Sequence, residues 1–407
     1  MQTSMEKAVK EDKKAGSKSN SQSLAQMFKG NMRQYSMIIA LVAIAILFQI
    51  LTDGILLRPL NITNLILQNS YILVLAIGMM LVIITGHIDL SVGSIAAFVG
   101  AISAILMVNY EMSTFLAIVI SLLIGALIGA WQGFWVAYVK IPAFIVTLAG
   151  MLLFRGLTMV VLEGKSIAPY PEAFQKISSG FVPDWLGGTN MNILTLVVGI
   201  VLSAILIINE VKNRKTQLKY KFDVTPTGIF VAKIVGMVAL VNLFAYVLAI
   251  YEGIPNILVI LVVLIVAYRF VTTKMKAGRH IYAIGGNEKA AQLSGVKTKR
   301  MTFLVFVNMG VLSALSGLLF AARLNAATPR AGNLFELDAI AACFIGGASA
   351  YGGIGTVPGA IIGGLVMGVM NNGMSILGLG IDWQQGIKGL VLLAAVAFDI
   401  YNKNKAS

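Results

Sequence analysis

The chain has 407 residues, of which 58% are hydrophobic and 12% are charged, and its formal net charge at pH 7 is +14. This composition excludes an ordinary soluble domain, in which about 25% of residues are charged. Apolar runs of the roughly 20 residues that span a bilayer recur along the whole length, without the short alternating strands of a β-barrel. The single cysteine, Cys343, excludes an internal disulfide and is interpreted as a small packing residue.

The first 35 residues differ from the rest of the chain. Residues 1–23 are rich in Lys and Ser and lack the apolar core of a signal peptide, so they predict a disordered tail. Residues 22–35 place Leu24, Met27 and Phe28 among basic side chains. This pattern suits a short helix on the membrane surface and equally a solvated continuation of the tail.

Twelve apolar runs follow and predict an all-α polytopic membrane protein with about 10–12 transmembrane helices in one domain, residues 36–402. A basic link joins the two runs that lie within residues 190–253. The runs lie near residues 36–52, 65–86, 93–108, 115–138, 142–162, 192–209, 228–250, 254–271, 301–322, 336–348, 357–377 and 383–401.

The basic residues predict the orientation of these helices. With the N-terminus inside, most Lys and Arg residues fall in cytoplasmic segments, as the positive-inside rule requires, and both termini are cytoplasmic. The net charge is then a topology signal, because nucleic-acid binding would need a basic soluble face with stacking aromatic residues. The few basic residues of the outside segments are Arg58, Lys165, Lys176, Arg323 and Arg330.

Two glycine-rich segments, residues 85–94 and 346–356, interrupt the apolar runs. Irregular backbone at membrane depth survives only where it lines a cavity or is buried in protein, although each segment also suits an ordinary short loop at the surface. Residues 124–129 weakly resemble residues 358–363, which cross the membrane in the opposite direction. The fold prediction therefore includes two weakly related inverted halves with broken helices.

Glycines four residues apart recur in these helices and predict close helix packing. They are Gly125, Gly129 and Gly133, then Gly359 and Gly363, and then Gly364 and Gly368.

Few charges lie within the apolar runs. Asp89 suits the lining of a translocation path or a proton-accepting site, but it also suits the capping of a helix that begins near Ser91. Arg155 and Lys388 lie within a few turns of a predicted helix end, so their side chains are expected to reach the membrane surface.

The sequence contains no catalytic or nucleotide-binding motif. The only histidines, His87 and His280, exclude a zinc site of the His-Glu-x-x-His kind. Gly164-Lys165-Ser166 imitates the end of a phosphate-binding loop, but the motif requires a glycine where Met159 stands and a preceding strand. We therefore expect no cofactor or metal on this chain, and a membrane enzyme is not supported.

The polar segment 278–297 lies between two apolar runs and is predicted to be helical and cytoplasmic. Asn287 can cap a short helix that begins at Glu288, and Gly295 suits a left-handed C-cap. The small residues Ala290 and Ala291 would let this helix pack closely into a groove on a partner. The alternative is a surface helix that rests on the bilayer.

Residues 85–94, Thr-Gly-His-Ile-Asp-Leu-Ser-Val-Gly-Ser, resemble the Thr-Gly-Gly-Ile-Asp-Leu-Ser-Val-Gly-Ser signature of the permeases of monosaccharide ABC importers of the ribose and xylose type. His87 departs from the usual glycine. Residues 279–291, residues 336–342 and Asn371-Asn372-Gly373 also resemble that family. Residues 190–253 look like an addition found in the larger xylose and multiple-sugar permeases.

The resemblance implies a subunit of a binding-protein-dependent sugar importer in the bacterial inner membrane. Its implied partners are a separate ATPase that holds ATP and Mg²⁺, an extracytoplasmic sugar-binding protein, a second permease copy and membrane lipid, with no nucleic acid. An ion-coupled secondary sugar carrier is the alternative. The expected ATPase-coupling residues are Gly286, Asn287, Glu288, Ala290, Ala291 and Gly295; the expected path or gate residues are Thr85, Asp89, Ser91, Asn371 and Asn372; and the expected binding-protein contacts are Arg58, Arg323 and Arg330.

Overall fold

The computed structural model of the chain describes residues 32–188, 191–222 and 224–406. The predicted tail and most of the possible surface helix at residues 22–35 lie outside these ranges. The helices are α1 Met32–Leu51, α2 Pro59–Ile84, α3 Val92–Ala104, α4 Thr114–Phe134, α5 Ala143–Leu162, α6 Glu172–Ser179, α7 Ile193–Lys219, α8 Thr227–Ile250, α9 Asn256–Lys274, α10 Lys276–Gly286, α11 Glu288–Leu293, α12 Thr298–Leu324, α13 Phe335–Ile345, α14 Val357–Ile376 and α15 Ile381–Ala406. One π-helical turn continues α3 over Ile105–Asn109, and another continues α4 over Trp135–Val139.

Nine of the described helices are long and apolar enough to cross a membrane, namely α2, α3, α4, α5, α7, α8, α9, α12 and α14, with α3 and α4 counted through their π turns. Every predicted apolar run falls on a helix, and the bridges between extended residues in the described ranges are isolated pairs. The prediction of an all-α polytopic membrane protein is therefore confirmed. With 11 residues, α13 is only about 16 Å long, half of a membrane crossing.

The described chain divides into two compact units. One contains residues 184–253, and the other contains residues 36–183 and 254–406. In the first unit, α7 and α8 form a helical hairpin in which the Asn242 amide donates to the Ser203 hydroxyl at 2.8 Å and Lys233 pairs with Glu210 at 2.9 Å. Such polar contacts hold helices together in lipid, where there is no hydrophobic driving force between them.

The second unit is built around α12, against which α2, α3 and α4 pack. The contacts are very close. A Cβ on Gly310 would lie 2.2 Å from the carbonyl oxygen of Gly125, and one on Gly129 would lie 2.4 Å from that of Phe306. Gly363 of α14 is equally tight against α13. The packing prediction for these glycines is confirmed, since any side chain would push the helices apart.

The connection from α12 to α13 is a third irregular segment, which the sequence did not reveal. It contains left-handed backbone at Asn325, Gly332 and Leu334. Arg155 donates from Nη1 to the carbonyl of Ala331 at 2.7 Å and from Nη2 to that of Gly332 at 3.1 Å. Arg155 therefore ties the irregular segment to the second half of α5.

Both basic residues of the apolar runs have partners within the chain. The Arg155 guanidinium satisfies carbonyl groups of the irregular segment. Lys388 of α15 pairs with Asp338 of α13, with Nζ 3.1 Å from Oδ1. These partners lie far away in the sequence, so the residues around Arg155 and Lys388 do not reveal them.

Candidate coupling segment and translocation site

The segment from α10 to α11 has the local structure that its sequence predicts. The side chain of Asn287 accepts a hydrogen bond from the backbone N–H of Ala290 at 3.0 Å and so caps α11. At the other end, the N–H of Val296 donates to the carbonyl of Ala291, and that of Gly295 donates to Gln292, each at 3.0 Å. With φ +85° at Gly295, this is a Schellman motif. Both predicted caps are confirmed.

The exposed side of α11 differs from the expected one. Ala290 is exposed, but Ala291 is buried and 5% exposed, so its side chain faces the chain itself. Leu293, at the end of the same helix, is 90% exposed. An apolar side chain that protrudes so far from a polar segment is the sort of group that fills a pocket on a partner. Leu293 was not predicted as a contact residue, because a single leucine in a short helix is usually buried in the core.

An ion pair connects this segment to the end of α4. Lys140, in left-handed backbone at φ +68°, lies with Nζ 3.0 Å from Oε1 of Glu288, and both side chains are about half exposed. The hydrogen bond from Lys140 lowers the pKa of Glu288 below its usual value, while partial burial opposes the shift. Glu288 therefore stays ionised and contacts the residue that follows the π-helical turn of α4.

α10 is packed tightly against the end of α2 and against residues 346–356. A Cβ on Gly285 would lie 1.7 Å from the carbonyl oxygen of Ile84 and 2.5 Å from the backbone nitrogen of Gly353. The N–H of Gly353 donates to the same carbonyl at 2.8 Å. The hydroxyl of Tyr282 donates to the carbonyl of Gly355 at 2.7 Å. Three elements thus meet through backbone atoms: the end of α2, α10, and the segment after α13. Because these contacts are so close, a movement of α10 would displace the other two elements.

The residues expected in the translocation path make local contacts. Oδ1 of Asp89 accepts from the backbone N–H of Ser91 at 2.9 Å and from its hydroxyl at 2.6 Å, while Oδ2 is buried and has no partner. Gln132 of α4 donates to the Ser91 hydroxyl at 2.8 Å, and Thr85 donates to the carbonyl of Val82. Asp89 thus holds Ser91, the residue before α3, but no side-chain hydrogen bond caps that helix. The unpaired Oδ2 is consistent with the other role expected of Asp89, in the translocation path.

The two asparagines of α14 have different surroundings. Asn372 is 6% exposed and exchanges amide hydrogen bonds with Asn61 of α2, at 2.8 and 3.1 Å. The side-chain oxygen of Asn371 is buried without a partner, and its backbone carbonyl accepts from Ser375. Asn372 therefore ties α14 to α2.

The three arginines expected to contact a binding protein differ in exposure. Arg58, which precedes α2, and Arg330, in the connection to α13, are exposed. Arg323, in the last turn of α12, is partly buried. Arg58 and Arg330 are free to meet another protein, whereas Arg323 is less accessible.

Residues 61–396 match the family described as branched-chain amino acid transport system / permease component. The chain belongs to this family of permease components. The xylose transport system permease protein of Haemophilus influenzae is 39% identical over 386 residues, which cover 92% of this chain and 98% of that protein. The corresponding xylose permease of Escherichia coli K12 is 38% identical over 377 residues, 92% of this chain and 94% of that protein.

A third relative of this permease is a ribose protein. The ribose import permease protein of Bacillus subtilis is 36% identical over 372 residues, which cover 91% of this chain and 94% of that protein. No solved structure matches the chain significantly.

Proposed function

We propose that this permease is the transmembrane subunit of an ATP-driven, binding-protein-dependent importer of monosaccharides in the bacterial inner membrane. Relatives that match it over more than 90% of its length are named as xylose and ribose permeases. Xylose or a similar sugar is the proposed substrate. Both termini are proposed to be cytoplasmic, as the distribution of basic residues requires.

The observation that carries the proposal is the contact of α10 with the end of α2 and with residues 346–356. A segment that only joined α9 to α12 could be far shorter. Here it contains two helices: α10 touches the end of α2 and the segment before α14 through Gly285 and Tyr282, and α11 is capped at both ends. Such a rigid element suits the transmission of movement from a cytoplasmic ATPase to the membrane helices.

Three partners complete the proposed importer. A separate ATPase subunit holds ATP and Mg²⁺ and docks on residues 278–297, where Gly286, Asn287, Glu288 and Ala290 are exposed. An extracytoplasmic sugar-binding protein meets the face that carries Arg58 and Arg330, where basic side chains favour steering of an acidic partner. A second copy of the permease and membrane lipid contact the remaining surface of the membrane helices.

The ion-coupled carrier is the less favoured alternative. The family is described as a permease component of a transport system, and the exposed cytoplasmic segment has no purpose in a carrier that works alone. The observation in favour of a carrier would be proton uptake that accompanies sugar uptake.

The proposed docking is tested with Leu293→Asp. Leu293 is 90% exposed, so the substitution leaves the fold of the permease intact but places a charge at the proposed contact. We expect the ATPase subunit to co-purify at least tenfold less well and sugar-stimulated ATP hydrolysis to fall in parallel. Leu218→Asp is the matched control, since Leu218 is an exposed leucine, 54% exposed, in the basic last turn of α7. Undiminished co-purification with Leu293→Asp would overturn the assignment of the segment.

A further inference from the structure

A cavity of about 280 Å³, whose mostly apolar lining carries several polar side chains, lies in the second unit beside the start of α13. Its walls come from α2, α13, α14 and α15. The volume is just under the roughly 300 Å³ at which pockets for small organic ligands begin, and at about 30 Å³ per water it holds about nine waters. Among the residues that line it are Tyr71, Asn333, Asp338, Gln384, Gln385 and Lys388.

The cavity contains the ion pair between Lys388 and Asp338. Nζ of Lys388 lies 3.1 Å from Oδ1 and 3.2 Å from Oδ2 of Asp338, and the two side chains are 24% and 9% exposed. Ionisable groups within membrane helices are costly and usually face a water-filled cavity or a ligand. Because the pair is electrically neutral as a whole, an ion of either sign would disrupt it, whereas a neutral ligand rich in hydroxyl groups would not.

The cavity lies where a half-length helix begins. α13 starts at Phe335, directly after the irregular segment that Arg155 holds, and the residues of its first turn line the cavity. Broken helices that begin within the membrane are the usual location of substrate sites in transporters. On the open side, Gln385 and Lys388 would meet hydrocarbon if lipid lay there, which is unfavourable for unsatisfied polar groups. The cavity is thus suited to water and to a polar solute.

We propose that this cavity is a monosaccharide subsite on the passage through the permease. Sugar hydroxyls donate hydrogen bonds to the carboxylate of Asp338 and accept them from the ammonium of Lys388, while Gln385 offers both a donor and an acceptor. The inference rests on the proposed function, because the choice of a sugar as the ligand follows from sugar import.

Cysteine labelling tests the subsite. Gln385→Cys places a thiol on the cavity wall without touching the ion pair, and the native Cys343 is fully buried and serves as the unreactive background. Trp383→Cys is the matched control, because Trp383 is 72% exposed on the same helix and does not line the cavity. The measurement is the rate of modification by a membrane-impermeant thiosulfonate reagent in vesicles that contain the complete transporter, with and without D-xylose or D-ribose.

We expect the thiol of Gln385→Cys to react, and the transported sugar to slow that reaction at least fivefold while leaving Trp383→Cys unchanged. An unreactive thiol, or one whose rate is the same with and without sugar, would overturn the subsite. Uptake by the parent transporter is measured in the same vesicles. If the parent transporter takes up neither sugar, the proposed function itself is contradicted. Failure of the subsite and failure of the proposed function therefore give different results.

A double substitution separates a binding role from a structural one. Asp338→Leu with Lys388→Met removes both charges and leaves none unpaired, and replacement of a whole buried ion pair by apolar residues is commonly neutral or stabilising. If the pair only holds α13 against α15, uptake by the double variant should match the parent. The subsite requires at least a tenfold loss of uptake with the same amount of folded permease in the membrane and the same ATPase co-purification. Parental uptake would overturn the proposal.

Discussion

Substitution of Gly285 by alanine perturbs the contact of α10 with the end of α2 and with residues 346–356. The added Cβ would lie 1.7 Å from the carbonyl oxygen of Ile84 and 2.5 Å from the nitrogen of Gly353. Ordinary contacts of this kind begin at 3.4 Å, so the Cβ and the Ile84 oxygen must separate by about 1.7 Å. Overpacking of this kind costs about 1–3 kcal/mol, and loss of the hydrogen bond from Gly353 to Ile84 adds about 1 kcal/mol.

The neighbouring glycine provides the control. A Cβ on Gly286 would meet no atom within 4 Å, and alanine favours a helix over glycine by about 1 kcal/mol. In reconstituted vesicles with the partner subunits, we expect Gly285→Ala to lower the sugar transported per ATP hydrolysed at least fivefold and to lower the thermal midpoint of the permease. Gly286→Ala, which lies at the proposed ATPase contact, serves as control for stability alone and should leave the thermal midpoint no lower than that of the parent. If Gly285→Ala and Gly286→Ala have the same thermal midpoint, α10 is not packed against Ile84 and Gly353 as tightly as the structure indicates.

Two further predictions concern polar contacts of the same unit. Lys140→Met removes the partner of Glu288. Because the pair lowers the carboxyl pKa in the folded permease, it stabilises fully above the ordinary glutamate pKa of about 4.3, and this stabilisation is lost as pH falls through the lowered pKa. Parent and variant should therefore differ by less than about 1 kcal/mol at pH 7 and converge in thermal unfolding as the pH is lowered. Lys176→Met, which breaks the exposed pair with Glu172 on α6, is the control for uptake; an equal loss of uptake in both variants would count against coupling through Lys140. Arg155→Met leaves the carbonyls of Ala331 and Gly332 without their donor, and two charge-assisted bonds at about 1.5–3 kcal/mol each predict a loss of roughly 3–6 kcal/mol. Arg155→Lys should be intermediate because lysine lacks the planar fork. An unchanged thermal midpoint for Arg155→Met would refute the anchoring role.

The sequence was most informative where structure is local. The caps at Asn287 and Gly295 follow from the residues within one helical turn, and the glycines of α4 and α14 follow from a spacing of four. The partners of Arg155 and Lys388 could not be predicted in this way, because Ala331 and Asp338 approach them only after several helices have packed. The same holds for the burial of Ala291, since a six-residue helix has no periodicity long enough to show which side faces inward.

In the functional site, too, local features could be predicted from the sequence and long-range contacts could not. The segment 278–297 was recognisable because a polar, helix-forming stretch between two apolar runs is unusual in composition. Its contacts with Ile84 and Gly353 could not be recognised from the sequence, because backbone atoms form them and backbone atoms are the same in every residue type. The cavity beside α13 could not be predicted for a related reason. Asp338 and Lys388 lie 50 residues apart, so the sequence shows each of them only as a single charge in an apolar run and does not show that they pair.

Sugar uptake by reconstituted vesicles tests the central claim most directly. The permease, its ATPase and the sugar-binding protein are assembled, with ATP enclosed on the side of α10 and α11 and with D-xylose or D-ribose outside. The account predicts uptake that requires both ATP and the loaded binding protein and that persists when the proton gradient is collapsed. Uptake by the permease alone, driven by a proton gradient and indifferent to ATP, would contradict it.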